Sequence, residues 1–339
     1  MNIPGIANVH SHAFQRLLRG GVQRRDLSRS DTFWTWRTKM YELALALDVE
    51  GIEAAARLAY MEGLEAGFTA VGEFHYLHHD KDGRAYADPL ETSKALIRAA
   101  KQVGVRLTLF WTAYARGGFG RPLSPSQARF GVREPAEVER MLDALWPECD
   151  GVQIKLGLAL HSVRALPSSW LGTLARVARE RGLPIHAHVS EQPAEIEACL
   201  EATGLTPPAL LAREGVLGPD FTAIHATWLD DEDLALLADT GAGVCLCPTT
   251  ECDLGDGVPR TSELFAAGVP LSIGSDSHAV IDPFAELRML EYQARAATGQ
   301  RCVLVDEQGE VAPALIRVGH DEGYRALGLE GKGDRVHLR

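Results

Sequence analysis

The sequence predicts an α/β fold, a closed (β/α)8 TIM-like barrel, on three observations. Eight short apolar runs alternate with amphipathic helical stretches along the chain. The runs are apolar on nearly every residue, as strands buried on both faces of a parallel sheet are. The residues with the most chemistry, His10, His12, His188, His225 and Asp276, fall at the downstream ends of these runs, where such barrels place their active sites. A doubly wound open sheet is the runner-up, but it calls for a glycine-rich first turn. That turn is absent, as are a P-loop and a G-x-S-x-G motif.

In chain order the strand candidates are Ile6–His12, Thr69–Tyr76, Val105–Ala113, Gly151–Leu160, Pro184–Val189, Phe221–Thr227, Gly243–Cys247 and Pro270–Ser275. Helical patterns between them include Asp48–Ala66, Pro89–Val103, Pro135–Leu145, Ser168–Arg181, Asp230–Asp239 and Pro283–Ala297. Asp88–Pro89 and Asp282–Pro283 read as N-cap and first-turn proline pairs, and Gly182 as a stop.

A chain of 339 residues can bury a large core. The expected division is a barrel over residues 1–300 and a C-terminal helix with an atypical tail over 301–339. A net charge of −12 with no basic stripe argues against nucleic acid, though a local arginine cluster could still receive a small anion. No apolar run reaches membrane-spanning length, and Met1–Gly5 lacks a signal-peptide pattern. Six cysteines without framework spacing suggest reduced thiols and a cytoplasmic protein. Cys245, Cys247 and Cys252 cluster, but buried small residues in a strand explain the first two better than a metal site does.

Three imidazoles and a carboxylate suit a catalytic divalent metal that keeps one position open to water. His10 and His12 are two apart on a strand and share a face. His186 and His188 repeat that spacing; His188 is read as a ligand and His186 as a deeper, hydrogen-bonded core residue. Glu191 lies just past a strand end, close enough to pass a proton between water and a leaving nitrogen. Asp276 can bind the metal and accept a proton from its water. His225 is either a fourth ligand or a group that orients hydroxide and polarises the substrate. His78, His79, His278, His320 and His337 are read as loop or surface histidines, with His278 near the metal.

Six segments together resemble the amidohydrolase superfamily. They are N-V-H-S-H-A-F-Q-R (Asn8–Arg16), F-W-T-W-R (Phe33–Arg37), E-F-H-Y-L-H-H-D (Glu73–Asp80), H-A-H-V-S-E-Q (His186–Gln192), C-P-T-T-E-C-D-L-G-D-G (Cys247–Gly257) and G-S-D-S-H (Gly274–His278). The resemblance spans roughly residues 4–300, and the second and third segments are particular to the deiminases of bacterial histidine degradation. It implies a hydrolase acting on the C–N bond of an amidine, converting N-formimino-L-glutamate to N-formyl-L-glutamate and ammonia with a metal-bound hydroxide. It further implies one zinc per chain, or another divalent metal, on His10, His12, His188 and Asp276. Glu191 would be the proton shuttle, His225 an essential partner, and Gln15, Arg37, Tyr76, His161 and Arg164 the substrate contacts. Arginine forks bind carboxylates bidentately, so Arg37 and Arg164 would suit a dicarboxylate.

Members of the family usually carry a β-sandwich built from both ends of the chain. Here that domain is expected to be largely missing, leaving apolar barrel surface exposed and favouring self-association as a homodimer. The alternatives to the implied activity are another metal-dependent deaminase on the same barrel, or a non-catalytic remnant.

Overall fold

The computed structural model describes residues 2–25, 27–28, 30–331 and 333–337. Among the described residues, ten strands run in the order β1 (Asn2–Pro4), β2 (Ile6–Ser11), β3 (Phe68–His75), β4 (Arg106–Ala113), β5 (Ile154–Ser162), β6 (Ile185–Val189), β7 (Phe221–His225), β8 (Gly243–Leu246), β9 (Leu271–Ile273) and β10 (Arg335–His337). Strands β2 to β9 form one parallel eight-stranded sheet in sequential order, each on a predicted run. Their residues are buried almost throughout, with Arg106, Lys155 and His161 the half-buried exceptions, because helices cover one face and the barrel core the other.

The seam between first and last strands closes through the backbone. Asp276 N–H donates to the His10 carbonyl (2.9 Å), and His12 N–H donates to the Asp276 carbonyl (3.1 Å). A Cβ on Gly274 would lie 2.8 Å from His10 Cβ and 2.9 Å from its carbonyl oxygen, so this approach requires glycine. Inside the barrel, Phe110 stacks on His186 with ring centroids 3.7 Å apart. Gly157 on β5 leaves the room that the Phe110 ring fills.

The N-terminal mouth is covered by residues that follow the barrel. The helix Val311–Arg317 runs through a wide turn, Val318–Glu322, into the helix Gly323–Ala326. Thr108 donates to the Leu327 carbonyl (2.9 Å), His186 Nε2 to the Ala326 carbonyl (3.0 Å), and Tyr324 meets Thr69 at 2.7 Å. β1 and β10 pair antiparallel beside this plug.

The predicted helices are present with small shifts. Asp88 bonds Leu90 N–H, and the helix begins at Glu91 rather than Pro89, because residues 88–90 form a turn first. A further helix, Phe33–Ala46, carries the F-W-T-W-R segment over the C-terminal mouth. Among the described residues, no helix is long and apolar enough to cross a membrane.

Candidate active site

The strand ends bring five of the predicted residues into one cluster. His10 lies next to the end of β2, His12 follows it, His188 lies in β6, His225 ends β7, and Asp276 follows β9. His188 Nε2 lies 3.2 Å from His10 Nε2 and 3.4 Å from His12 Nε2. Asp276 Oδ1 lies 3.2 Å from His10 Nε2 and 3.5 Å from His12 Nε2.

Hydrogen bonding on the outer ring nitrogens explains this convergence. His12 Nδ1 donates to the Phe74 carbonyl (3.0 Å) and His188 Nδ1 to the His161 carbonyl (2.9 Å). A carbonyl can only accept, so each proton is fixed on Nδ1 and each Nε2 presents a lone pair. Burial, with the neighbouring histidines, holds His10 and His188 well below their usual pKa; burial also lowers His12 despite Asp276. His12 and His188, neutral and with facing lone pairs, cannot hydrogen-bond to one another. A small cation between them resolves the conflict, since donors about 2.0–2.1 Å from one tetrahedral ion lie about 3.3 Å apart. The four donor atoms therefore fit a divalent metal.

His225 differs from these three. Its Nδ1 meets a carboxylate, Glu251 Oε1, at 3.2 Å, and its Nε2 points toward Glu191 Oε1 (3.8 Å) and Asp276 Oδ2 (3.9 Å). Burial would lower its pKa, but Glu191, Glu251 and Asp276 together raise it well above the usual value. Glu191 is itself buried; burial pushes its pKa up, and His225 and Arg164 pull it back. The backbone is strained here: Ser190, His225, Ala226, Asp276 and His278 all have φ between +45° and +70°.

Every predicted substrate contact lines the same cleft. Gln15, Arg37, Tyr76, His161 and Arg164 face it together with His12, His188, Glu191, His225 and Asp276. The cleft holds about 500 Å3 counted out to its open mouth. Gln15 Nε2 donates to the Tyr76 hydroxyl (3.2 Å). Arg37 lies over the Trp34 ring, 4.5 Å from its centroid, and has no ion-pair partner among the described residues. A guanidinium left without a carboxylate at a cleft wall is suited to receive one.

Several site residues escaped the sequence reading. Tyr114 and the aromatic residues Trp36, Tyr41 and Phe130 also line the cleft. Tyr114 directly follows β4, so the strand-end rule applied to that strand would have found it. Glu251 lies inside the Cys247–Gly257 segment, and Glu195 is one helical turn beyond Glu191. Two histidines read as loop or surface residues lie in loops and are buried. His78 donates to the Thr112 carbonyl (2.8 Å), and His278 bridges Ser11 and Ser275 at 3.0 Å each. His79 is half-buried on the Gly131 carbonyl, and the side chain of His337 lies outside the described residues. His186 is the hydrogen-bonded core residue expected.

The sequence profile of the Amidohydrolase family matches residues 1–334. A formimidoylglutamate deiminase of Pseudomonas aeruginosa is 39% identical over 328 residues, covering 96% of this chain and 72% of that protein. A 5-methylthioadenosine/S-adenosylhomocysteine deaminase of Natronomonas pharaonis is 26% identical, covering 97% of this chain and 69% of that one. Among solved structures, an amidohydrolase from Brucella melitensis superposes with a TM-score of 0.93 at 39% identity, covering 98% of this chain and 74% of the other. A zinc complex of an atrazine chlorohydrolase from Arthrobacter aurescens superposes at 0.82 with 20% identity and the same coverage, a likeness of fold alone.

Proposed function

The chain belongs to the amidohydrolase family, and we propose that it hydrolyses N-formimino-L-glutamate to N-formyl-L-glutamate and ammonia in histidine degradation. The observation that carries this reading is the placement of Arg37 and Arg164 in one cleft with the cluster of histidines and Asp276. A metal centre alone serves many hydrolases; two arginines facing it select a substrate with two carboxylates.

His10, His12, His188 and Asp276 would hold one divalent ion, zinc on the grounds of a nitrogen-rich donor set. When bound, such an ion supplies Lewis acidity that makes water a nucleophile near neutral pH. Asp276 takes the proton of the attacking water as the new C–O bond forms at the formimino carbon. Glu191 takes the hydroxyl proton of the tetrahedral carbon and delivers it to the terminal nitrogen, the carbonyl forms as the C–N bond breaks, and ammonia leaves. His225, held by Glu251 with Nε2 facing the site, stabilises the tetrahedral carbon's oxygen. Arg37 and Arg164 each take one carboxylate, with Gln15, Tyr76 and His161 supplying further hydrogen bonds. The six free cysteines agree with a cytoplasmic enzyme, and half-exposed Trp146 and Val152 offer apolar surface to a homodimer.

The test is ammonia release by folded, metal-loaded protein from N-formiminoglutamate, set against a purine and a pyrimidine. Release from the first alone is expected. No release from it ends this reading.

A further inference from the structure

Arg164 lies against two carboxylates and is hydrogen-bonded to neither. Its Nη2 is 3.8 Å from Glu191 Oε2, and its Nε is 3.8 Å from Glu195 Oε1. Arg164 Nε and Glu195 Oε1 both lack a hydrogen-bond partner although both are buried. The three side chains are 15%, 8% and 1% exposed, so water does not screen the charges as it does at a surface.

The two acids are not equivalent. Glu195 Oε2 accepts the backbone N–H of Glu191 at 3.2 Å, which anchors Glu195 to the loop. The Glu191 carboxylate has no such anchor among the described residues. One of its oxygens faces Arg164 and the other faces His225 Nε2, each at 3.8 Å. Arg164 therefore attracts a fixed acid on one side and a movable one on the other.

We propose that Arg164 restrains Glu191 in the empty site, and that the carboxylate of the substrate releases it by taking over the guanidinium. The idea rests on the reading of Glu191 as the group that carries a proton to the leaving nitrogen. A carboxylate drawn toward a guanidinium is held in place and made a weaker base than it would be alone, so it does not turn freely to carry a proton. A substrate carboxylate forms a bidentate, hydrogen-bonded pair with Arg164, which Glu191 at its present distance does not. Glu195 keeps the guanidinium positioned after the exchange. An amidine without a carboxylate can reach the metal centre yet leaves Glu191 restrained. Specificity then appears in kcat and not only in KM.

Formamidine, which has the reacting group and no carboxylate, separates this role from simple binding. Turnover of N-formiminoglutamate and of formamidine is compared in metal-loaded wild type, Arg164→Met and Arg164→Lys, with metal content and thermal unfolding measured for each. In Arg164→Met, kcat/KM for N-formiminoglutamate falls about 10- to 100-fold, the range for a lost charge-assisted pair. Formamidine turnover rises several-fold in the same protein and does not rise in Arg164→Lys, which keeps the charge. Formamidine turnover at or below wild type in folded, metal-loaded Arg164→Met overturns the proposal. Unmodified protein gives a second reading: added acetate raises the kcat for formamidine saturably, and an unchanged kcat overturns the proposal without any variant. A wild type that leaves N-formiminoglutamate intact overturns the substrate assignment instead, and the formamidine arms still decide the restraint.

Discussion

The two ends of this barrel handle polar groups in opposite ways. At the C-terminal mouth, Glu73, Glu191, Glu195, Glu251, Asp256, Asp276 and Glu286 are all buried. Burial pushes Glu73 and Glu195 up to about 7 and Glu286 up to about 8. Several buried atoms there lack a partner, including His10 Nδ1, Glu251 Oε2 and Asp256 Oδ2. At the N-terminal mouth the acids are less buried and meet arginines at hydrogen-bond distance: Arg106 with Asp334, Arg179 with Asp220, and Arg325 with Glu322. One end concentrates buried acids and strained backbone, and the other pairs its charge and holds the barrel shut. The difference separates what the fold needs for stability from what it bears for chemistry.

His186 and His188 put that contrast on one strand, two residues apart and facing the same interior. His186 gives its Nε2 to a carbonyl of the plug, while His188 gives its Nδ1 to a carbonyl and leaves Nε2 toward the cluster. His188→Ala is expected to abolish metal binding and turnover, with a modest change in stability of the metal-free protein. His186→Leu is expected to leave metal stoichiometry intact and cost about 1–3 kcal/mol of stability through the carbonyl left unpaired. Metal content and urea unfolding of both variants decide this. Equal metal loss in the two would mean that the whole interior acts as one unit.

Glu191→Gln tests the chemical end alone. Its turnover should fall about 10²- to 10⁴-fold, with metal content and unfolding midpoint near wild type. Activity equal to wild type would remove Glu191 from the mechanism. Stripping the ion with a chelator should lower the thermal midpoint, because metal at about one hundred times its Kd contributes about 2.7 kcal/mol by mass action. Hydrogen exchange should locate the loosening at the strand ends that carry His10, His12 and Asp276. Protection of the β1–β10 ribbon and of residues 311–327 should not change; uniform loosening would contradict the division between the two ends.

The same division governs what could be read from the chain. All eight barrel strands were legible because burial on both faces leaves an unbroken apolar signal. His10, His12, His188 and Asp276 were legible because strand ends have a fixed meaning in a barrel. Glu195 and Glu251 were not, since a lone glutamate on a helix reads as solvated until the fold places it beside Arg164 or His225. His278, read as a loop or surface histidine near the metal, gave no sign of its burial for a related reason. Its partners Ser11 and Ser275 meet only when the first and last strands close, across 267 positions in the case of Ser11. The ribbon of β1 and β10 likewise has no local signal, because two three-residue strands from opposite ends of the chain define each other only by pairing.

The smallest expected effect concerns the charge held at the catalytic mouth. Glu286 is buried on the helix Pro283–Thr298 and accepts from Thr249 through both the backbone N–H and the hydroxyl. Burial raises its pKa from 4.5 to about 8, the Thr249 bonds oppose the shift, and Glu251 and Asp276 add to it. In the unfolded chain this carboxyl ionises near 4.5, while in the folded chain it keeps its proton until about pH 8. The folded state therefore binds more protons between these values, and stability falls as pH rises through the window and levels off above it. The slope for one such group is at most about 1.4 kcal/mol per pH unit. Glu73 and Glu195 contribute in the same direction but level off near pH 7, whereas Asp256, pushed up to about 9 by burial, contributes alongside Glu286 from pH 7 to 8. Glu286→Gln, with metal removed from both proteins, should lessen the fall in stability over that interval, read by urea unfolding, with Asp256 supplying the remainder, and leave the arginine-paired N-terminal mouth as it was. An unchanged slope would show that the two Thr249 hydrogen bonds outweigh burial and keep this carboxylate ionised, making it a paired charge like those at the other end.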